Sequence, residues 1–179
     1  MQYPYGEHVV YTDCQPVLAF VLRLLPFLHP WSVGIMHGLI FLSFVLTPIV
    51  LRRLLLELDT HSFLAWTCGL GIALLSPQFL KMNAGHFGLC YTVLIPFLML
   101  LLVRYIKNRR LATVVWLAAF NATLFWLHPY LGIGVSIFSG TTLALAALLS
   151  DGYRLRTAGA AAVTALFPTL LFHFVMRIT

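Results

Sequence analysis

Charge is what this chain of 179 residues has least of: 9% of its side chains are Asp, Glu, Lys or Arg, where a soluble domain carries about 25%. With 61% apolar residues and a mean hydropathy of +0.94, too few charges remain to cover a water-facing surface, which excludes a water-soluble globular domain. Acidic residues are scarcest, five against eleven basic ones, for a net charge of +6. That excess does not imply nucleic acid, because the basic clusters are short and lack an aromatic-interleaved face. Membrane lipids with anionic headgroups are their natural partners. Cysteine is sparse too. Cys14, Cys68 and Cys90 form no CxxC pair, which argues against both a zinc site and a disulfide framework. No Walker loop, dinucleotide fingerprint, HExxH or GxSxG motif occurs. Residues 1–15 lack the basic and apolar regions of a signal peptide.

What the chain has is long apolar runs. A hydrocarbon core of about 30 Å needs roughly 20 helical residues, and six uncharged stretches approach that: Trp31–Val50, Ser62–Phe79, Phe87–Val103, Leu111–Leu127, Tyr130–Leu149 and Thr157–Met176. The expected fold is all-α, a polytopic transmembrane helix bundle of about six spans. Basic residues set its orientation. Arg52, Arg53, Arg104, Lys107, Arg109, Arg110, Arg154 and Arg156 fall in alternate connections, while Lys81, Arg23 and Arg177 fall in the others, so the first set is cytoplasmic. Pro16–His29 is apolar but short, with Arg23 and Pro26 near its middle. It reads as an interfacial or re-entrant helix at the outer face, ended by His29-Pro30; a seventh span is the rival reading. Residues 1–30 are thus an outer loop and interfacial helix, and residues 31–179 the helix bundle. An outer loop with no preceding span reads as part of a longer protein.

On this topology the outer face gathers Glu7, His8, Asp13, Gln15, His29, Lys81, Asn83, His86, His128 and Tyr130, with His37 and His173 nearer that side. Asp13 and Glu7 are candidate catalytic bases. His8, Lys81, Asn83, His86, His128 and Tyr130 are candidate substrate-binding groups able to counter phosphate charge beside the bilayer. Histidine, tyrosine and lysine also favour the interface without any function; carboxylates gain nothing there, which sets Asp13 and Glu7 apart. No metal-ligand set is apparent among His8, Asp13 and Cys14, and no cofactor is expected. Asn121 lies mid-span, where hydrogen bonding to a neighbouring helix is the expected role. Gly34 and Gly38, and the stripe Gly132, Gly134, Ser136 and Gly140, are expected to let helices approach closely.

Tyr3-Pro4-Tyr5-Gly6-Glu7-His8 followed by Tyr11-Thr12-Asp13-Cys14-Gln15-Pro16, an interfacial apolar segment, and alternating spans with Asn83-Ala84-Gly85-His86 in an outer turn resembles bacterial multi-pass proteins of the GT-C glycosyltransferase class. It is similar to members whose first outer loop reads YPxGE…YTDxxP and whose later turn reads GH. The resemblance implies transfer of a sugar from a polyprenyl-phosphate donor at the outer face of the bacterial cytoplasmic membrane. It also implies an acidic residue of the first outer loop as base or acceptor guide, best matched by Asp13 and next by Glu7, with Lys81 and His86 neutralising the departing phosphate. The chain departs from the class in having no adjacent Asp-Glu or DxD pair and no soluble outer domain; a divalent metal is compatible with the class but finds no ligand set here. Two other readings stand beside it. One is a transporter or lipid flippase component working through Asn121, His37, His173 and the proline-broken helices; the other is a non-catalytic membrane-assembly subunit.

Overall fold

The computed structural model describes residues 15–78, 87–149 and 152–178. Among them every regular element is helical. Seven α-helices follow in order: α1 Pro16–Leu24, α2 Ser32–Glu57, α3 Ser62–Leu74, α4 Leu94–Asn108, α5 Leu111–Leu127, α6 Pro129–Leu148 and α7 Arg154–Ile178. Short 3-10 turns occur at Pro26–Trp31 and Phe87–Leu89. By length and composition four helical segments are able to cross a membrane: Pro26–Glu57, Phe87–Asn108, Pro129–Leu148 and Arg154–Arg177. Many of their apolar side chains face outward; Phe41 and Ile137, for instance, are 69% and 64% exposed. Such a surface suits hydrocarbon, not water. Two of the expected spans are shorter: α5, of 17 residues, and α3, of 13, rise about 26 Å and about 20 Å.

The chain packs as two compact units, Met1–Phe97 and Leu98–Thr179, whose boundary falls within α4. In the first, α2 and α3 form a helical hairpin. The end of α2 is a Schellman turn: Asp59 adopts φ 60°, the Asp59 N–H donates to the Leu56 carbonyl, and the Thr60 N–H to the Leu55 carbonyl at 3.0 Å. His61 then caps α3, its Nδ1 accepting the Phe63 N–H at 3.3 Å. In the second unit α5, α6 and α7 pack against one another pairwise. A single residue, His128, separates α5 from α6.

Local chemistry moves several expected boundaries. The interfacial segment breaks at Leu25 (φ −125°, ψ 73°) rather than at His29-Pro30, because Pro26 bars its predecessor from the helical region. Pro30 is instead accommodated within the 3-10 turn that runs into α2. Arg52 and Arg53, expected in a connection, lie inside α2; Arg52 stays helical by stacking over the Trp66 ring at 5.0 Å. Helix α3 stops at Leu74, shortly before Ser76-Pro77. Gly34 and Gly38 make no close approach, since a Cβ on either would meet nothing within 4 Å among the described residues. In the other stripe Gly132 and Gly140 do: a Cβ there would lie 2.5 Å from the Phe125 ring and 2.8 Å from Ala165 Cβ. Gly134 faces open space.

Candidate functional site

The first unit concentrates its polar atoms where its backbone is irregular. Gln15, just ahead of Pro16 at the start of α1, is 2% exposed and adopts φ 46°, a left-handed conformation that costs a non-glycine residue about 1–2 kcal/mol. Two hydrogen bonds and burial hold it there. Its carbonyl accepts the Ala19 N–H at 3.1 Å, its side chain is buried, and the Tyr91 hydroxyl donates to Oε1 at 2.7 Å across 76 residues of sequence. Gln15 Nε2 is also buried and has no hydrogen-bond partner among the described residues. Beside it opens a groove of about 170 Å³ lined by Leu18, Ala19, Leu22, Ser32, Val33 and Met36. An amide donor therefore stands at the head of an apolar channel, an arrangement suited to an amphiphile with an oxygen-rich head and a hydrocarbon tail.

Tyr91 is fixed in turn by α2. Between the Phe87–Leu89 turn and α4 the backbone is not helical, and within a bilayer such a break needs its polar groups satisfied by neighbours. Ser43 Oγ accepts the Val93 N–H at 3.1 Å. Thr47 Oγ1 gives its proton to the Ser43 carbonyl at 2.8 Å, so in the Thr47–Thr92 hydroxyl pair at 2.6 Å Thr92 is the donor. Ser43, Thr47 and Thr92 are all buried. This ladder clamps the two residues that follow Tyr91 to one helix.

The second unit brings together two of the expected site residues. His128 is buried at the α5–α6 corner, and its ring lies 5.6 Å from that of Tyr130, which is 71% exposed. Deeper in the unit, Asn121 is fully buried; its Nδ2 donates to Ser139 Oγ at 2.8 Å and to the Thr164 carbonyl at 3.0 Å, joining α5 to α6 and α7. Glu7, His8, Asp13, Lys81, Asn83 and His86 lie outside the described residues. Two histidines assigned to the outer face have local roles: His29 Nε2 lies 3.1 Å from the Leu22 carbonyl at the end of α1, and His37 meets Phe87 edge-on at 5.9 Å. His173 is exposed on α7. Among the described residues no group of three His, Cys, Asp or Glu side chains is placed to hold a metal. The sequence offers Gln15 only as one outer-loop residue among many, and it gives no sign of Tyr91. The Ser43/Thr47 pair, four residues apart in an apolar helix, is the one local hint of the clamp.

A family model described as Domain of unknown function (DUF6311) matches residues 1–178. No curated protein and no solved structure matches the chain.

Proposed function

The chain belongs to the DUF6311 family, and from its loop motifs and the geometry at Gln15 we propose a membrane glycosyltransferase-like protein. It takes a sugar from a polyprenyl-phosphate donor at the outer face of the bacterial cytoplasmic membrane. One observation carries the reading: the buried Gln15 amide, whose nitrogen has no partner among the described residues, heads an apolar groove and follows Asp13 by two residues in the sequence. The donor's first isoprene units lie along Leu18, Leu22 and Met36, and Gln15 Nε2 donates to a phosphate oxygen. Asp13 takes the proton of the acceptor hydroxyl as its oxygen bonds to the anomeric carbon. The bond from that carbon to the phosphate oxygen breaks, and the phosphate leaves on the lipid with Lys81 and His86 countering its charge. Glu7 is the second candidate base; His8 and Asn83 contact sugar or acceptor. The topology keeps six crossings, with α3 and α5 the short members, accommodated by local thinning and snorkelling of flanking residues.

The test uses the full chain in proteoliposomes with a polyprenyl-phosphate sugar. Asp13→Asn is expected to lower turnover at least about 100-fold, the scale of a lost general base, with a smaller loss in Glu7→Gln. Turnover retained in both variants removes the base. A transport reading draws on the second unit, where Asn121 Oδ1 and Ser136 Oγ are buried without a partner among the described residues. It predicts translocation of a labelled lipid that Asn121→Ala abolishes and Asp13→Asn leaves intact.

A further inference from the structure

The second unit carries a separate feature at its arginine-rich end. In Leu98–Thr179 seven residues are basic and one, Asp151, is acidic; Asp151 lies outside the described residues. Six of the basic side chains stand in two short segments, Arg104 to Arg110 and Arg154 to Arg156, which the fold brings together. Arg109 donates to Thr157 Oγ1 at 2.7 Å, and the buried Tyr105 hydroxyl donates to the Arg156 carbonyl at 3.4 Å. The first turn of α7 is thus held against the end of α4, while the Arg156 side chain remains exposed.

Arg156 borders two concavities. One is an open basin of about 570 Å³ formed by Gly152 to Arg156. The other is a crevice of about 240 Å³ walled by Tyr105, Leu111, Val114, Gly159, Ala160 and Val163. The crevice is apolar apart from Arg156, and its rim residues Leu111 and Val163 are exposed. It is open at Gly159, where a Cβ would meet nothing within 4 Å among the described residues. Cationic at the mouth and hydrocarbon-lined below, the pair of cavities matches a two-part molecule of the bilayer itself.

We propose that this end of the second unit is a binding site for one anionic phospholipid, its headgroup phosphate in the basin on Arg156 and an acyl chain in the crevice beside Gly159 and Val163. Charge complementarity selects an anionic headgroup, and the positive N-terminal end of the 25-residue α7 adds to it. The crevice makes this a discrete site rather than diffuse attraction to a charged surface. It is independent of the glycosyl-transfer reading.

Native mass spectrometry of the full chain, released from nanodiscs of equal phosphatidylglycerol and phosphatidylcholine, counts the retained lipid. Wild-type protein is expected to keep one phosphatidylglycerol in clear preference to phosphatidylcholine. Arg156→Gln should lower that preference about fivefold, the scale of one arginine near a membrane surface. Arg177→Gln removes the same charge at the other end of α7 and should leave the preference intact. Gly159→Leu fills the crevice with every charge in place and should likewise lower selective retention; Val163→Phe is the second filler should the first fold poorly. Unchanged melting in pure phosphatidylcholine checks the fold of each variant. Equal losses in Arg156→Gln and Arg177→Gln would reduce the effect to net charge and overturn the site. So would full retention in both crevice-filling variants.

Discussion

The two units use buried polar side chains in opposite ways. In Met1–Phe97, Ser43, Thr47 and Thr92 serve a stretch of backbone that has left the helical ladder, and the result is a positioned tyrosine and a glutamine whose amide nitrogen has no partner among the described residues. In Leu98–Thr179, Asn121 bridges helices that stay continuous, one of its bonds going to the Thr164 carbonyl that Pro168, four residues on, has no N–H to meet, and Gly132 and Gly140 let those helices close on one another. Interrupted helices expose groups that a ligand can use; continuous ones bury their polar atoms in packing. The contrast sets a ligand-accessible amide in the first unit against packing bonds in the second.

The sharpest way to break this contrast is to add a methyl group to each unit. Gly132→Ala drives its Cβ to within 2.6 Å of the Phe125 backbone and should cost about 3 kcal/mol. Gly34→Ala and Gly38→Ala meet open space and should be neutral, or more stable by up to about 1 kcal/mol through helix propensity. Denaturation of the full chain in mixed micelles, followed by circular dichroism, measures all three; equal losses would erase the distinction. A smaller effect separates the polar groups. Asn121→Ala removes two interhelical hydrogen bonds and should cost about 1–2 kcal/mol while sparing donor affinity. Thr47→Val should cost about 1 kcal/mol yet weaken donor binding, because the Tyr91 turn loses its clamp. The smallest effect concerns the α2–α3 turn. Asp59→Ala should be less stable than Asp59→Gly by about 1 kcal/mol, since both lose the same side chain and only glycine is at ease at φ 60°.

Much of the helix layout is legible in the sequence, and the reasons differ by element. Helix α5 has the bounds expected of it, Leu111–Leu127, because Arg110 and His128-Pro129 punctuate both ends. Helix α3 ends before the expected Phe79 because window hydropathy passes over Ser76-Pro77 as though it were helical. Helix α2 continues past its apolar run because arginine is a good helix former and Trp66, on the next helix, offers Arg52 a face. The role of Asn121 follows from its type and depth alone. The Gln15–Tyr91 bond and the meeting of Arg109 with Thr157 do not, since pairs 76 and 48 residues apart leave no trace in local periodicity.

The lone residue joining α5 to α6 has a consequence for how this protein is made. With only His128 between them, neither helix has slack to settle separately; the depth of one fixes the depth of the other. The pair must therefore form as a single folded hairpin, and the placement of α5, the shorter partner, is tied to that of the longer helix synthesised after it.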